Sequence, residues 1–451
     1  MREIAMPHML LLSLPTALPD IAVMLLGGVC AFLLTYLLTF GVIALCRRMG
    51  WLGRQEAGRA RDMRPRLGGI AMFLAFVIAS LLFYSGQHVS SREMVSYWLL
   101  LGAALLIVAV HAYDDVKGLG PLPKLLAQTM AVIIVMGPGW NIVNGTVQYM
   151  FQGVLLFGFS NPFGVPVYRP GLPWYREPVI SLFIHTPAIT WLAIPAMLFT
   201  WFWIVGMMNT VNLVDGLDGL ATGVVAITAL FITIISWVMG QHSIAILGAI
   251  FTGAVLGFLP HNWNPAKILM GDSGSQFLGL GLAVLSIIGG AKVALALMLL
   301  GIPILDVAVV AINRIRHGQH PLHYDNTHMH YRLLATGLSV KQICYVFYGL
   351  TFLFGVLALN LPHIYKLIGM GVVGLAMVLL IVWVDYRQRK RGMPIKPADP
   401  APEPPADGMG SIETASSANN GSNSAPIVET SMPDNVPPDT VEQIETDKTA
   451  V

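Results

Sequence analysis

Residues 192–240 read LAIPAMLFTWFWIVGMMNTVNLVDGLDGLATGVVAITALFITIISWVMG. Two apolar runs, each close to the roughly 20 residues a helix needs to cross a bilayer, enclose the polar stretch NTVNLVDGLDGL at 209–220. Within it Asn209, Asn212, Asp215 and Asp218 recur at steps of three. On an α-helix each such step drifts by about −60°, so Asn209 and Asp218 would end on opposite faces. Gly216 and Gly219 permit a broken backbone that gathers the four side chains instead. A helix-capping turn accounts for one Asn or Asp, but not for four. Amide and carboxylate oxygens suit magnesium, and can also hold a base or ribose. The stretch therefore predicts a membrane hairpin with a polar site at its tip.

The rest of the chain agrees with a membrane fold. Of 451 residues, 55% are hydrophobic and 11% charged, and the mean hydropathy is +0.68, against about 25% charged in soluble domains. Cys30, Cys46 and Cys344 all lie in apolar runs, which excludes a disulfide framework or a zinc spacing. Nothing points to nucleic acid. Spans are predicted near 21–46, 68–85, 96–113, 122–140, 187–208, 221–240, 243–260, 277–291, 293–312, 343–361 and 364–384. The short, glycine-rich 277–291 is the weakest. The expected fold class is an all-α polytopic membrane protein of about eleven transmembrane helices. Residues 1–20 read as a leader to the first helix rather than a cleaved signal, 21–391 as the membrane domain, and 392–451 as a disordered tail rich in Pro, Ser, Asn and Glu.

Nineteen of the 26 Lys and Arg fall in one set of connections and six in the other, with Lys448 in the tail. The positive-inside rule makes the first set cytoplasmic, with the N-terminus outside and the C-terminus inside. Every acidic or His-rich connection, 114–124, 209–220, 261–276 and 313–340, then faces the cytoplasm. The long connection 141–186, rich in Gly, Pro and aromatics, faces outward, and its Asn144-Gly-Thr146 sequon is a weak match.

The connection HAYDDVKGLGPLPK, 111–124, carries adjacent Asp114 and Asp115. Neighbours on a helix point about 100° apart, so one can serve a metal or act as base while the other orients. A solvated acidic helix end paired with Lys117 is the plainer alternative. In HNWNPAKILMGDSGSQFLGLG, 261–281, Asp272 with Ser273 and Ser275 is either an N-cap or a phosphate-approaching loop. INRIRHGQHPLHYDNTHMHYRLLATG, 312–337, holds His317, His320, His323, His328 and His330. In an extended segment His328 and His330 share a face; flanked by Arg314, Arg316 and Arg332, they are candidates for diphosphate. With no thiolate and no helical His-x-x-x-His, zinc is not expected. GRARDMRPRLGGIAM, 58–72, is a topology signal or an attractor of anionic head groups. Asp306, inside a predicted span, is costly there and so a functional candidate.

DDVKGL, NTVNLVDGLDGLATG, PAKILMGDSGSQFLG and DNTHMHYRLLATG, in that order between spans, resemble the polyprenyl-phosphate N-acetylhexosamine-1-phosphate transferases of glycosyltransferase family 4. PRLGG and PILD agree as well, and the resemblance covers about residues 20–390. It implies a polytopic enzyme that moves a sugar phosphate from a UDP-sugar to a polyprenyl phosphate and releases UMP. It further implies Asp114 and Asp115 as the catalytic acidic pair, and Asn212 and Asp272 as ligands of Mg2+, with Mn2+ an alternative. Asp272 also counts among the catalytic residues. By the same resemblance Asp215, Asp218 and Asn262 hold the uridine nucleotide. His328, His330 and Arg332 meet the diphosphate, and Lys124 and Arg66 the lipid phosphate or substrate. The expected partners are UDP-N-acetylhexosamine, the lipid acceptor, the bilayer of a bacterial inner membrane and a second copy of the chain in a homodimer.

Two positions depart from the family pattern. Tyr331 stands where a third His is common, and Leu269 where many members have an aromatic. The chain also lacks the His-His-His run of the UDP-MurNAc-pentapeptide branch, and looks more like the branch that uses UDP-GlcNAc and undecaprenyl phosphate for O-antigen, teichoic acid or related glycans. The alternatives are that pentapeptide transferase, and a transporter or flippase. A transporter should bury its polar residues at the bilayer midplane, whereas nearly all of these lie in connections.

Overall fold

The computed structural model describes residues 19–52, 63–84, 91–137, 139–143, 146–150, 178–183, 186–190, 193–288, 293–316 and 328–360, with scattered residues between 368 and 386. The leader, His317, His320, His323, the tail and most of the last predicted span lie outside the described residues. Helices α1 (Asp20–Met49), α2 (Gly68–Phe83), α3 (Ser91–Lys117) and α4 (Pro121–Met136) come first. After two short hairpins follow α5 (Ala193–Val214), α6 (Leu220–Val238), α7 (His242–Asn262), α8 (Gly271–Ile287), α9 (Val293–Leu299), α10 (Gly301–Arg316), α11 (Met329–Ala335) and α12 (Val340–Asn360).

Six of these, α1, α3, α5, α6, α7 and α12, are long and apolar enough to cross a membrane, and a seventh span results if α9 and α10 count as one. The expected continuous span at 293–312 is instead broken, bending by 75°. Pro303 explains the break, because it has no N–H to donate to the carbonyl of Leu299.

The fold is nearly all helical, and the exceptions lie in the connection before α5. Strands β1 (Gly139–Val143) and β2 (Thr146–Met150) pair antiparallel from Gly139↔Met150 to Val143↔Thr146. Strands β3 (Pro178–Phe183) and β4 (Thr186–Thr190) pair likewise, with irregular register. An Asn-Gly pair between two runs of β-formers signals a hairpin, and 144–145 supplies one.

The weakest predicted span is the centre of the bundle. Residues Ser273–Ile287 of α8 are all buried, against α2, α3 and α5. Its glycines explain both the weak hydropathy and the position. A Cβ at Gly274 would crowd Met270, Gly69 and Met72, one at Gly279 the backbone of Met208, and one at Gly281 the ring of Phe251. A helix enclosed by other helices meets no lipid, so close approach matters more for it than apolar bulk. Leucines on the outer helices show the contrast: Leu25 and Leu37 of α1 are 59% and 62% exposed.

Candidate active site

At one end of the bundle the α3–α4, α5–α6 and α7–α8 connections meet the start of α2, α11 and the first turns of α12. The first organising contact is a cap supplied from another helix. Asp115 Oδ1 accepts from the N–H of Asp272 at 2.8 Å, and Oδ2 from the N–H of Ser273 at 3.1 Å and its hydroxyl at 2.7 Å. The first N–H groups of a helix have no partner within it, and a carboxylate there also meets the positive end of the dipole. Asp272 is thus not the cap of α8. Asp115 is, and that frees the Asp272 carboxylate. The adjacent backbone is held by PRLGG: Leu269 N–H donates to Pro65 O at 2.9 Å, Gly68 N–H to Leu269 O at 3.1 Å and Gly69 N–H to Met270 O at 3.0 Å. Gly69 is required, since a Cβ on it would collide with the backbone of Gly274.

Asp114, beside Asp115, points elsewhere. Its Oδ1 accepts from Leu119 N–H at 2.5 Å, and its Oδ2 lies 2.5 Å from Lys124 Nζ. The same ammonium lies 2.8 Å from Asp272 Oδ2. Asn212 Nδ2 donates to Asp272 Oδ1 at 3.0 Å and to Ser275 Oγ at 2.8 Å. Four residues from four helices, Asp114, Lys124, Asn212 and Asp272, therefore form one cluster, with Asp272 at its centre.

The stretch 209–220 divides. Helix α5 continues through Val214, and the break comes only at 215–219, where Gly219 has φ +80°. The four evenly spaced side chains accordingly do not converge, contrary to expectation. Asn209 lies one turn deeper in α5 and pairs with Gln128. Asp218 receives Arg64 Nη1 at 2.8 Å on one oxygen, and Asn264 Nδ2 at 3.0 Å and Ala266 N–H at 3.1 Å on the other. The Asp215 N–H donates back into α5, to Val211 O and Asn212 O at 3.2 Å, while its carboxylate accepts no hydrogen bond among the described residues. Burial first, then Asp272, Asp115 and Asp218, push its carboxyl well above the usual carboxylate range against the pull of Arg66. Burial also raises Asp272, but Lys124, Asp114 and Asn212 together hold it below its ordinary value. Asn262 is 1% exposed, and its amide serves Gly219 N–H, Thr222 Oγ1 and Ile268 O. It braces the turn from beneath.

The His segment docks on the same turn. His328 precedes α11 and His330 lies within it, with rings 6.0 Å apart and nearly parallel at 3°. They do share a face, although in a helical start rather than an extended strand. His328 Nδ1 lies 3.0 Å from Asp306 Oδ2, and Met329 N–H donates to Asp306 Oδ1 at 3.0 Å. The costly intramembrane acid thus anchors the His segment. His330 is 2% exposed and its Nε2 has no partner among the described residues. Burial, and then the neighbouring His328, lower it to about 3, so it is neutral at physiological pH. Gly216 leaves room for it: a Cβ there would strike His330 Nε2 and the Tyr331 hydroxyl. Tyr331, in the place of a third His, packs 4.2 Å from the His330 ring. Arg332 is half-buried on α11, and Arg66 keeps a buried Nε without a partner among the described residues.

No three His, Cys, Asp or Glu side chains form a ready-made metal cage among the described residues. The donor set nonetheless fits magnesium. Asp272, Asn212 and Asp215 offer side-chain oxygens close together at the helix ends, and magnesium typically takes only one or two carboxylates together with substrate phosphates and water. Several contributors were not singled out from the sequence: Arg64, Gln128, Gln276 and the room at Gly216. Gly216 was read for its backbone freedom, whereas the structure uses the space it leaves.

Residues 97–290 match the profile of Glycosyl transferase family 4. The chain is 30% identical over 344 residues to the probable undecaprenyl-phosphate N-acetylglucosaminyl 1-phosphate transferase of Bacillus subtilis (strain 168), covering 74% of this chain and 84% of that protein. It is 31% identical over 356 residues to the decaprenyl-phosphate N-acetylglucosaminephosphotransferase of Mycobacterium tuberculosis (strain ATCC 25618 / H37Rv), covering 72% and 78%. It is 28% identical over 344 residues to the phospho-N-acetylmuramoyl-pentapeptide-transferase of Staphylococcus aureus (strain MW2), covering 73% and 96%.

Proposed function

The chain belongs to glycosyl transferase family 4, and from that premise we propose that it is a phosphosugar transferase acting on a polyprenyl phosphate. It moves N-acetylhexosamine 1-phosphate, GlcNAc 1-phosphate by the names of two relatives, from a UDP-sugar to undecaprenyl phosphate or a similar lipid. A lipid phosphate oxygen forms a bond to the sugar-bearing phosphorus while the bond from that phosphorus to UMP breaks. UMP leaves, and the product lipid begins a cell-envelope glycan.

The observation that carries this reading is the Asp114–Lys124–Asp272–Asn212 cluster, built from four helix ends beside the unpaired Asp215. Phosphoryl transfer asks mainly for positioning and charge compensation. Lys124 gives a cation that can pass from Asp272 to an incoming phosphate. Asp114, held by Leu119 N–H, is placed to orient that lysine or accept a proton from the lipid phosphate. Asp115 acts through α8, whose N-terminus it holds. Mg2+, or Mn2+ in its place, would be held by Asp272 and Asn212 with Asp215 beside them, and would neutralise the diphosphate when bound. The nucleotide lies against the Asp215–Asp218 turn, and His330, neutral, offers Nε2 to the diphosphate without bringing a charge.

The basic connections support an orientation with this end in the cytoplasm, where UDP-sugars are present, on eleven spans with the N-terminus outside. A polytopic enzyme suits the chemistry, because a polyprenyl lipid presents only its phosphate at the membrane surface. The test is transfer of label from UDP-GlcNAc to polyprenyl phosphate in membranes holding the chain, with magnesium. Lipid-linked label and released UMP are expected. Absence of both with every UDP-N-acetylhexosamine would end this reading, and preference for UDP-MurNAc-pentapeptide in competition would move the chain to the sibling branch.

A further inference from the structure

Three members of the cluster have an amide about one turn deeper in their own helices. Gln128 follows Lys124 on α4, Gln276 follows Asp272 on α8, and Asn209 precedes Asn212 on α5. The three amides are bonded through Gln128. Gln128 Nε2 donates to Gln276 Oε1 at 2.9 Å and to Asn209 Oδ1 at 3.2 Å, and Asn209 Nδ2 returns a bond to Gln128 Oε1 at 3.1 Å. Asn209 Nδ2 also donates to Val205 O on its own helix at 2.8 Å. Gln128 and Gln276 are 3% and 2% exposed.

Amides at such depth are costly unless paired, and apolar side chains would fill the space without that requirement. What the amides add is register. Apolar helix contacts tolerate small slides and rotations, whereas a mutual amide bond has one geometry. We propose that Gln128, Asn209 and Gln276 are positioning residues. They lock α4, α5 and α8 in the register that brings Lys124 to Asp272 and Asp272 to Asn212. The layer lies one helical pitch, about 5.4 Å, below the cluster, so a slip there reaches the cluster almost undiminished. His111, the corresponding residue of α3, is not a member: its Nδ1 turns to Ile107 O, and its Nε2 has no partner among the described residues. The positioning role rests on the transferase reading, but it has a readout that does not.

The test compares the full chain with Gln128→Met, Gln276→Met and the triple variant Gln128→Met/Asn209→Leu/Gln276→Met. The triple variant leaves none of the three amides unpaired, so it should fold even if a single variant does not. Two quantities are measured on folded protein: kcat with KM for both substrates, and the acetylation rate of Lys124 relative to exposed Lys267, read by peptide mass. Expected are a kcat lower by about 10–100-fold with each KM within about twofold, the size of a roughly 1 Å misplacement. Lys124 should acetylate about fivefold faster or more, since its ion pairs loosen. A lower melting temperature with unchanged kcat and unchanged Lys124 labelling in the triple variant would overturn the proposal. A wild-type chain that transfers nothing would end the transferase reading alone. The labelling ratio would then decide the positioning role.

Discussion

Helix packs on helix in two different ways in this molecule. Along the seam of α1 and α7 the backbones themselves approach: a Cβ on Gly253 would strike Gly28 O, and one on Gly257 would strike Phe32 O. That seam is the small-residue packing of membrane helices, in which dispersion gains from close approach replace a hydrophobic force that lipid does not supply. At the site end, α3, α4, α5 and α8 are joined by Asp114, Asp115, Lys124, Asn212 and Asp272, through bonds that span 10 to 158 positions of sequence. The difference teaches which contacts should move stability and which should move chemistry. Loss of volume complementarity at the seam should cost folding energy and leave turnover alone. Loss of a charge at the site should do the reverse.

The sharpest test is Asp272→Asn. Asn keeps one acceptor oxygen for Lys124, turns an N–H toward Asn212, whose amide can flip to accept it, and fits the same space, so the chain should fold, yet transfer should fall by about 1,000-fold or more. Radiolabel transfer alongside a melting curve checks both halves. Lys124→Met should cost about 100-fold in kcat, since Asp114 and Asp272 then face each other without their shared cation. Gly253→Ala should show the opposite pattern, losing about 1–3 kcal/mol of stability through overpacking while kcat per folded molecule stays at the parent value. If kcat dropped with it, the separation of the two regions would fail. Asp306→Asn, which weakens the hold on His328, should raise the KM for the UDP-sugar by about tenfold, measured by initial rates.

The smallest effect is a pH slope. His330 is held to about 3 in the fold, against about 6.5 in an unfolded chain. Between those values the unfolded chain takes up a proton that the folded one refuses, so stability falls as pH falls through that window. Above about 6.5 the effect vanishes. The slope reaches at most about 1.4 kcal/mol per pH unit. Denaturation of His330→Gln and its parent at several pH values should show a shallower acid loss in the variant.

Much of the fold was legible because bilayer crossing is a local property of composition. The runs that became α1, α3, α5, α6, α7 and α12 could be read one at a time. Where a helix meets protein on all sides the same signal fades, which is why α8, the most enclosed helix, read as the weakest span. The bend at Pro303 was legible in principle, and so was the β1–β2 pairing, from the Asn-Gly pair between its strands. In the site, residue types pointed to connections that the structure gathers at one end of the bundle, but not to the partners within it. Asp115 looked like half of an acidic pair and is the cap of a distant helix. The bonds of Asn262 to Gly219, Thr222 and Ile268 had no sign in the sequence. Asn209 looked equivalent to Asn212, yet belongs to a different layer.

By itself, then, the sequence determined that this chain is a bundle of membrane helices, and that its carboxylates, amides and histidines lie in a few connections between them. Hydropathy and spacing are properties of neighbours along the chain, and a single strand of text holds them. Only the tertiary structure decided that Lys124 stands between Asp114 and Asp272, that Asp115 caps α8, that Gly216 makes room for His330, and that an amide layer lies beneath. Each of these is set by the meeting of helix ends far apart in sequence, where a shift of about an ångström is enough to exchange one hydrogen-bond partner for another.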